Sequence, residues 1–487
     1  MKKLFKILSA KLFEPLLALL SELRRKILFK KQAGLDFAVF TVFCISTVTV
    51  SCENMLDVET PSNLLVSEQV FESVQTANAA LSGLYSGLWD NSPIAGDQSG
   101  RILSLYTDDL NFYPLSSNTG LMEFYQNNVL DSNPIVNSYW VNAYQKIYMA
   151  NAIIEGVENS PTIAGDERGR IIAEAVMVRS LLMLYLQQVY GDVPYPVSTD
   201  YTVNQVIAKT NTDEVLLRIE NDIKEVIPVL KDSYRNAERI FPNRKAAQMI
   251  LAKTFMAEKK YSEAELILKE ILQSSLYTFQ NDITKVFDKS GSHIIWQLKP
   301  RNSGDATKEI QTYFFNNGAP TSVALSQDLI SSFPAGDLRR QHWIANITVG
   351  GNTWYRPNKY KVQSNNTTEY SVVFRLEEVY LLLAESLAQQ NRITEAVPHL
   401  NKVRQRAALP ALNTSVSKEI LIDEIVKENR REFFTEMGNR FFTLKRLGKL
   451  DGLITIKPNW KPYYRNWPLS QKELLLNPNL NPQNQGY

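Results

Sequence analysis

The chain has 487 residues, with 53 basic against 51 acidic, 22 Tyr, 7 Trp and two cysteines. A near-neutral balance without a basic stripe argues against a nucleic-acid partner. With cysteines only at positions 44 and 52, the long remainder must be held by its hydrophobic core rather than by disulfides, and its length permits a large one.

The amino terminus carries an export pattern. Arg24, Arg25, Lys26, Lys30 and Lys31 precede an apolar run over residues 37–50, and Ser51-Cys52 follow. A basic cluster, a short apolar stretch and a small residue before the cleavage point make a secretory signal. The run of about 14 residues is shorter than the ~20 needed to span a bilayer. A cysteine at the first mature position makes it a lipoprotein signal, so residues 1–51 are expected to be removed and Cys52 acylated. Thr49 stands where Leu is usual, and bulky Phe43 makes Cys44 the poorer candidate. Residues 1–23 form a second amphipathic, Leu-rich stretch that a signal does not need, and a start codon set too early accounts for it. The first 51 positions hold 9 of the basic and 3 of the acidic residues, so their removal turns the balance to −4. Residues 52–67 are polar and Pro/Asn/Ser-bearing, as a lipid-anchored tether would be, and lead into a domain over 68–487.

From there helical periodicity dominates. It predicts helices over 71–90, 137–157, 166–190, 213–230, 243–258, 262–274, 374–390, 393–407 and 418–436. Gly191-Asp192-Val193-Pro194 stops the third, and Asp213 and Asn243 are natural N-caps. Two stretches repeat each other: Leu251-Ala252, Phe255, Ala264 and Leu268 recur at the same spacing as Leu383-Ala384, Leu387, Ala396 and Leu400. Small residues let two antiparallel helices approach and large ones fill the groove between pairs, which is the tetratricopeptide spacing. Pairing 71–90 with 137–157, and 166–190 with 213–230, completes four units. Helix pairs then run to about residue 276, and the last repeat with a carboxy-terminal block covers 374–487. Between them, residues 277–370 are rich in Gly, Asn, Thr, Ser and aromatics, with strand-like runs at 293–299 and 370–373. The expected fold is mainly α: four tetratricopeptide-like helix pairs as a scaffold, with an irregular loop-rich insertion carrying short strands. Loops on a rigid scaffold are where recognition usually resides.

Catalytic signatures are missing from the sequence. It has no Gly-rich phosphate loop, His-Glu-x-x-His, nucleophile elbow or cysteine cluster. His293, His342 and His399 are far apart and read as structural. Asp108-Asp109 is the tempting carboxylate pair for glycoside hydrolysis, but adjacent residues seldom face one cleft, so a contact to a ligand hydroxyl or a turn cap is the better reading. No enzyme activity, cofactor or metal is expected. Sugars present apolar C–H faces and polar rims, which aromatic platforms with Asp, Asn and Arg can grip. Two regions have that composition. The first holds Trp89, Asp108, Asp109, Asn111, Tyr113 and Tyr125; the second, in the insertion, holds Trp296, Trp343, Trp354 and Tyr355. These are the expected ligand-binding residues, and replacing Trp343 and Trp354 with Ala is expected to abolish capture. Trp140, on a helix with a matching apolar stripe, is expected in the core. Late in the chain, Arg430, Arg431, Glu432, Arg440, Lys445 and Arg446 lie among Phe433, Phe434, Phe441 and Phe442. Paired charges beside aromatic anchors suit a buried junction, and the interleaved Glu428, Glu432 and Glu436 count against a phosphate patch.

Several blocks follow one another in order. Tyr139-Trp140 through Tyr144, Ile147 and Ala150-Asn151 form one, on a helix. Glu174-Ala175 through Arg179-Ser180, ending in Gly191-Asp192-Val193-Pro194, form another. Asp337-Leu338-Arg339, Arg375-Leu376 through Tyr380 and Glu385, Leu400-Asn401 through Arg404 and Arg406, the stretch from Asn429 to Gly448, and the tail from Pro468 to Tyr487 complete the series. Together they resemble the SusD/RagB family, the nutrient-capturing surface lipoproteins of Bacteroidetes. Asn429 replaces a usual Glu, Thr443 a usual Asp and Gln485 a usual Pro. The resemblance implies no catalysis, an outer-membrane surface location and a TonB-dependent SusC-like transporter as partner, with this protein as its hinged lid. It implies an oligosaccharide ligand, or alternatively a peptide as for RagB-like proteins. The match over the two aromatic regions is regional, so no family site residue carries over. A tetratricopeptide scaffold that binds only proteins is the rival class.

Overall fold

Capping side chains set where most of the helices begin. Helix α1 (Val74–Asp90) starts behind Ser73, whose side chain accepts from the Thr76 amide. The structure, a computed structural model, describes Ser21, residues 70–113 and residues 120–487; the export signal, Cys52 and the tether lie outside the described residues. After α1 come α2 (Ser99–Tyr106), β1 (Leu110–Phe112) and α3 (Leu121–Gln126). Two long helices follow, α4 (Pro134–Glu158) and α5 (Gly165–Tyr190), the first with Asn133 as cap and Pro at its first position. Next are α6 (Thr212–Val226), α7 (Arg244–Ala257) and α8 (Tyr261–Leu272). Asn243 caps α7 as the sequence suggests, but α6 is capped by Asn211, and Asp213 falls in its first turn.

These helices stack in chain order: α4 and α5 lie along each other, with α1 against both, and α5, α6, α7 and α8 each pack on the next. Helix α5 is buried almost all round from Ala173 onward, because it has neighbours on several sides. The next layer is α12 (Leu376–Gln389) with α13 (Ile393–Arg406), and α8 packs directly on α12. The intervening chain therefore leaves the stack and returns to it. All five repeated positions in α7–α8 and all five in α12–α13 are buried. The equivalence extends to the connecting turns. Lys259 and Asn391 take the same left-handed conformation, at φ 61° and 62°. The next amides, of Lys260 and Arg392, close on the carbonyls of Phe255 and Leu387 at 2.8 and 2.9 Å.

The excursion contains β2 (Ile294–Leu298), α9 (Lys308–Tyr313), β3 (Val323–Leu325), α10 (Gln327–Ser331), α11 (Leu338–His342), β4 (Ile344–Val349), β5 (Asn352–Pro357) and β6 (Ser371–Arg375). Its strands form three antiparallel pairs, β1–β3, β2–β6 and β4–β5. The two strand-like runs seen in the sequence are thus partners of one another, with Leu298 opposite Ser371. β3 also packs beside β5. The β4–β5 hairpin turns at Gly350-Gly351, both at positive φ, as a tight primed turn requires.

The carboxy-terminal block is α14 (Lys418–Phe433), α15 (Asn439–Arg446) and, in the tail, α16 (Gln471–Leu476). The expected helix over 418–436 ends at Phe433, because Thr435, Met437 and Gly438 turn the chain at positive φ. Helix α2 lies hard against this turn: a Cβ on Gly100 would fall 2.2 Å from the Thr435 carbonyl oxygen. Trp467 in the tail is fully buried, 4.5 Å from Phe124 and 5.3 Å from Tyr139 between ring centres. The tail therefore closes the core formed by the first third of the chain.

The charges of the late block are buried and paired. Glu432 accepts from Arg339 at 3.1 Å, from Arg375 at 2.5 Å and from Arg406. Asp337, Glu377, Glu428 and Glu436 share the same arginines. Burial alone would raise the Glu432 carboxyl, but Arg406, Arg375 and Arg339 outweigh it and hold it well below the usual range. Among the described residues no helix is long and apolar enough to cross a membrane.

Candidate functional site

The ten ligand-binding candidates divide by burial. Trp296 and Trp343 are fully buried, with indole N–H groups donating to the carbonyls of Ile240 (3.2 Å) and Ile283 (2.9 Å). Their expected exposure is corrected: Trp296 lies on β2 among buried apolar residues and Trp343 just after α11, and both rings are core. Trp89 is buried as well, with the Lys308 ammonium 4.4 Å from its ring centre. Asp108 and Asp109 are also buried. They pair with Arg430, at 3.1 Å and 2.8 Å, and Asp108 with Arg440 at 2.8 Å. Asp328 joins the cluster through Arg430 at 2.7 Å. Burial pushes the Asp108 carboxyl up to about 6 against the pull of Arg440 and Arg430. This aspartate pair is a clamp between the loop after α2 and helices α14 and α15, and it does not face a cleft. Tyr125 is half-buried beneath the Lys457 ammonium, 4.3 Å from its ring centre.

The remaining candidates gather in one part of the fold. Asn111 lies on β1, opposite Ala324 of β3, and Tyr113 continues the ladder by donating its amide to the Ser322 carbonyl at 2.7 Å. β3 packs beside β5, which carries Trp354 and Tyr355. Successive residues of a strand face opposite ways, and this separates the two aromatics. Trp354 pairs with buried Ile347 across the hairpin and shares its side with buried Arg356, whose guanidinium lies 4.6 Å from the Phe314 ring centre. Tyr355 is on the opposite side, across from exposed Asn346, with its ring half-buried against the core. The Arg340 guanidinium sits 5.1 Å from the Tyr355 ring centre and donates to the Asn346 amide oxygen at 2.9 Å. On the same side, the exposed hydroxyls of Thr348 and Thr353 are 2.9 Å apart. This outward face is an aromatic ring ringed by an amide, two hydroxyls and a guanidinium. Arg340 and Asn346 were not among the expected residues; the Gly350-Gly351 pair between two short β-prone runs was the available signal.

Among the described residues no group of three or more His, Cys, Asp or Glu side chains gathers as a metal site would. His293 is buried, with Nε2 2.9 Å from the Val286 carbonyl, and burial lowers its affinity for a proton.

Two family models match, one described as "Starch-binding associating with outer membrane" over residues 54–256 and one as "SusD family" over residues 326–487. The chain belongs to the SusD/RagB family. SusD-like protein P25 of Formosa agariphila is 25% identical, over 91% of this chain and 96% of that one. A SusD superfamily protein from Bacteroides vulgatus has the same fold, with a TM-score of 0.74 at 18% identity, over 86% of this chain and 100% of that one. Surface glycan-binding protein A from Bacteroides thetaiotaomicron, in complex with laminarihexaose, reaches a TM-score of 0.70 at 18% identity, over 84% of this chain and 99% of that one. The SusD/RagB architecture explains why the excursion between α8 and α12 does not disturb the repeats: the helix pairs close on each other without it.

Proposed function

We propose that this protein captures an oligosaccharide at the outer face of a bacterial outer membrane and passes it to a TonB-dependent transporter of the SusC type. Capture is non-covalent and needs no cofactor. The observation that carries the reading is the outward face of the β4–β5 hairpin, where Tyr355 lies beside Arg340, Asn346, Thr348 and Thr353. A sugar ring can lay its C–H face on the tyrosine while its hydroxyls meet the amide, the threonines and the guanidinium. Asn111 and Tyr113, on the neighbouring β1–β3 ladder, are placed to extend that surface. Family membership and the laminarihexaose complex of a protein of the same fold favour a glycan over a peptide. The surface location rests on Cys52: the two or three acyl chains of a bacterial lipoprotein hold stably where a single chain does not.

Calorimetric titration with laminarihexaose and with oligosaccharides selected on a glycan array tests the reading. Tyr355→Ala is expected to weaken binding about tenfold or more, roughly 1.4 kcal/mol, with a smaller loss of stability than a fully buried aromatic would show, because the ring is only partly buried against the core. Unchanged affinity in that variant would remove the hairpin as the site. Binding of peptides and of no glycan would replace the ligand class.

A further inference from the structure

Charge is unevenly spread along this chain, and the β4–β5 hairpin lies in a cationic stretch. Between Ile310 and Thr368 the sequence has five cations, Arg339, Arg340, Arg356, Lys359 and Lys361, against two acids, Asp328 and Asp337, a balance of +3. The chain beyond residue 51 carries −4 in total, so this stretch runs against the sign of the whole. Both of its acids are already paired. Asp328 meets Arg430 at 2.7 Å, and Asp337 meets Arg339 at 2.9 Å. Lys359 is paired as well, with Glu436.

Arg340 and Arg356 are different: among the described residues neither makes an ion pair. The Arg340 guanidinium donates to the Asn346 amide oxygen and lies against the Tyr355 ring. Arg356 is 9% exposed, yet its guanidinium meets only the Pro357 carbonyl at 3.3 Å, the Asn358 amide oxygen at 3.1 Å and the Phe314 ring. Its Nε has no partner. The most deeply buried arginines of the fold, Arg339, Arg375 and Arg406, are all met by carboxylates, as a buried charge needs.

We propose that the hairpin face selects an anionic saccharide, one whose ring carries a carboxylate or a sulfate that Arg340 receives. The inference rests on the proposed function and names the ligand class of that site. A guanidinium is a planar fork whose paired donors match two oxygens of either group. This one is held in advance by the Tyr355 ring and Asn346, so little freedom is lost when an anion arrives. Arg356, the next residue along β5, is on the other side of the strand and does not touch the ligand. Its charge is not cancelled within the fold and adds to the positive potential at the hairpin. A neutral glycan would leave Arg340 to water and gain nothing from that potential.

The test is a glycan array that carries sulfated and uronic-acid oligosaccharides beside their desulfated and carboxyl-reduced forms. It is probed with the full chain, and the strongest pair is then titrated by calorimetry. The acidic member is expected to bind about tenfold tighter than its neutral form, the worth of one charge-assisted hydrogen bond. Arg340→Gln should bring it down to the neutral form's affinity. Arg340→Lys keeps the charge without the fork and should recover part of the loss. The side chain is partly exposed, so both variants should keep the wild-type Tm. Lys231→Gln removes a charge that is 72% exposed in the loop between α6 and α7, and it should change neither affinity. The sulfated and uronic-acid pairs tell which anion is read. Equal binding of acidic and neutral forms, or an acidic preference that Arg340→Gln leaves in place, overturns the inference. If Tyr355→Ala then still weakens binding of both forms, the hairpin stands as the site and only the anionic class is lost. If it changes nothing, the site falls too, and an array with no bound glycan removes capture and ligand class together.

Discussion

Glu432 shows how much a single side chain can hold in this fold. Three arginines converge on it from three elements: Arg339 from α11, Arg375 from the end of β6 and Arg406 from the end of α13. A buried carboxylate with no cation near it would take up a proton, whereas this one is kept charged by its partners. Glu432→Gln keeps the shape and removes the charge that offsets the three guanidinium groups. It should cost about 3–5 kcal/mol, the usual penalty for breaking a buried pair on one side. Equilibrium urea unfolding measures it, and a loss under about 1 kcal/mol would mean that Asp337, Glu377, Glu428 and Glu436 suffice without it. The interleaving of charges and phenylalanines around position 432 is enough to read a buried junction from sequence. The partners are not legible, because Arg375 and Arg339 lie 57 and 93 positions away. Asp108 looked like a ligand contact for the same reason: its partner Arg430 is 322 positions distant. Trp343 and Tyr355 look alike in sequence, each an aromatic in the loop-rich insertion, yet one is fully buried and the other only half-buried at the edge of the core. Trp343→Ala should therefore lower stability by about 3–5 kcal/mol. Any loss of glycan binding in that variant should follow its unfolding, unlike the loss in Tyr355→Ala.

Among the elements, repetition extends past the apolar positions to the ion pairs. Lys260, in the turn between α7 and α8, pairs with Glu220 on α6; Arg392, in the turn between α12 and α13, pairs with Glu265 on α8. Glu220 follows buried Ile219 as Glu265 follows buried Ala264. Each turn thus ties its own helix pair to the helix before it, which explains how α12 recognises α8 across the long excursion. The repeat is visible in the sequence at α7–α8 and α12–α13 because their turns have the same length. It is hidden at α1–α4, where α2, β1 and α3 intervene, and the cap of α6 was misplaced because Asn211 and Asp213 are both good capping residues. The junction of α2 with the α14–α15 turn can be probed through glycine. Gly100→Ala forces a methyl group to within 2.2 Å of a backbone oxygen, and such overpacking typically costs about 1–3 kcal/mol. Gly83, exposed within α1, has no atom within 4 Å of an added Cβ, so Gly83→Ala should stabilise by about 0.5–1 kcal/mol. Thermal unfolding of the two variants should move in opposite directions; a shift of the same sign would show that α2 has room against the turn.

Across the whole molecule, two buried titratable groups that lack an oppositely charged partner, Glu309 near Asp97 and Lys445 near Arg465, shape the response to pH. Glu309, on α9, joins three parts of the chain: its carboxylate accepts from Ser371 of β6 at 2.7 Å and lies so close to Gly96, after α1, that a Cβ there would fall 2.2 Å from its carboxyl carbon. Burial raises it to about 7. Lys445 of α15 donates to the Gln188 carbonyl near the end of α5 and to the Asn466 side chain, both neutral, and burial lowers it to about 7. The two groups act on opposite limbs. The folded state holds a proton on Glu309 that the unfolded chain releases above about 4.5, so its contribution to stability is lost as pH rises from about 4.5 to 7. The folded state gives up the Lys445 proton that the unfolded chain keeps to about 10.5, so that contribution is lost as pH falls from about 10.5 to 7. Against Glu309→Gln, which keeps the hydrogen bond and cannot ionise, the wild type should lose about 3 kcal/mol between pH 4.5 and 7. Against Lys445→Met it should gain several kcal/mol between pH 7 and 10. Urea midpoints for the three proteins at pH 5, 7 and 9 read both limbs. Parallel profiles for the wild type and the glutamine variant would mean that the seam around Glu309 admits water and leaves the carboxylate charged.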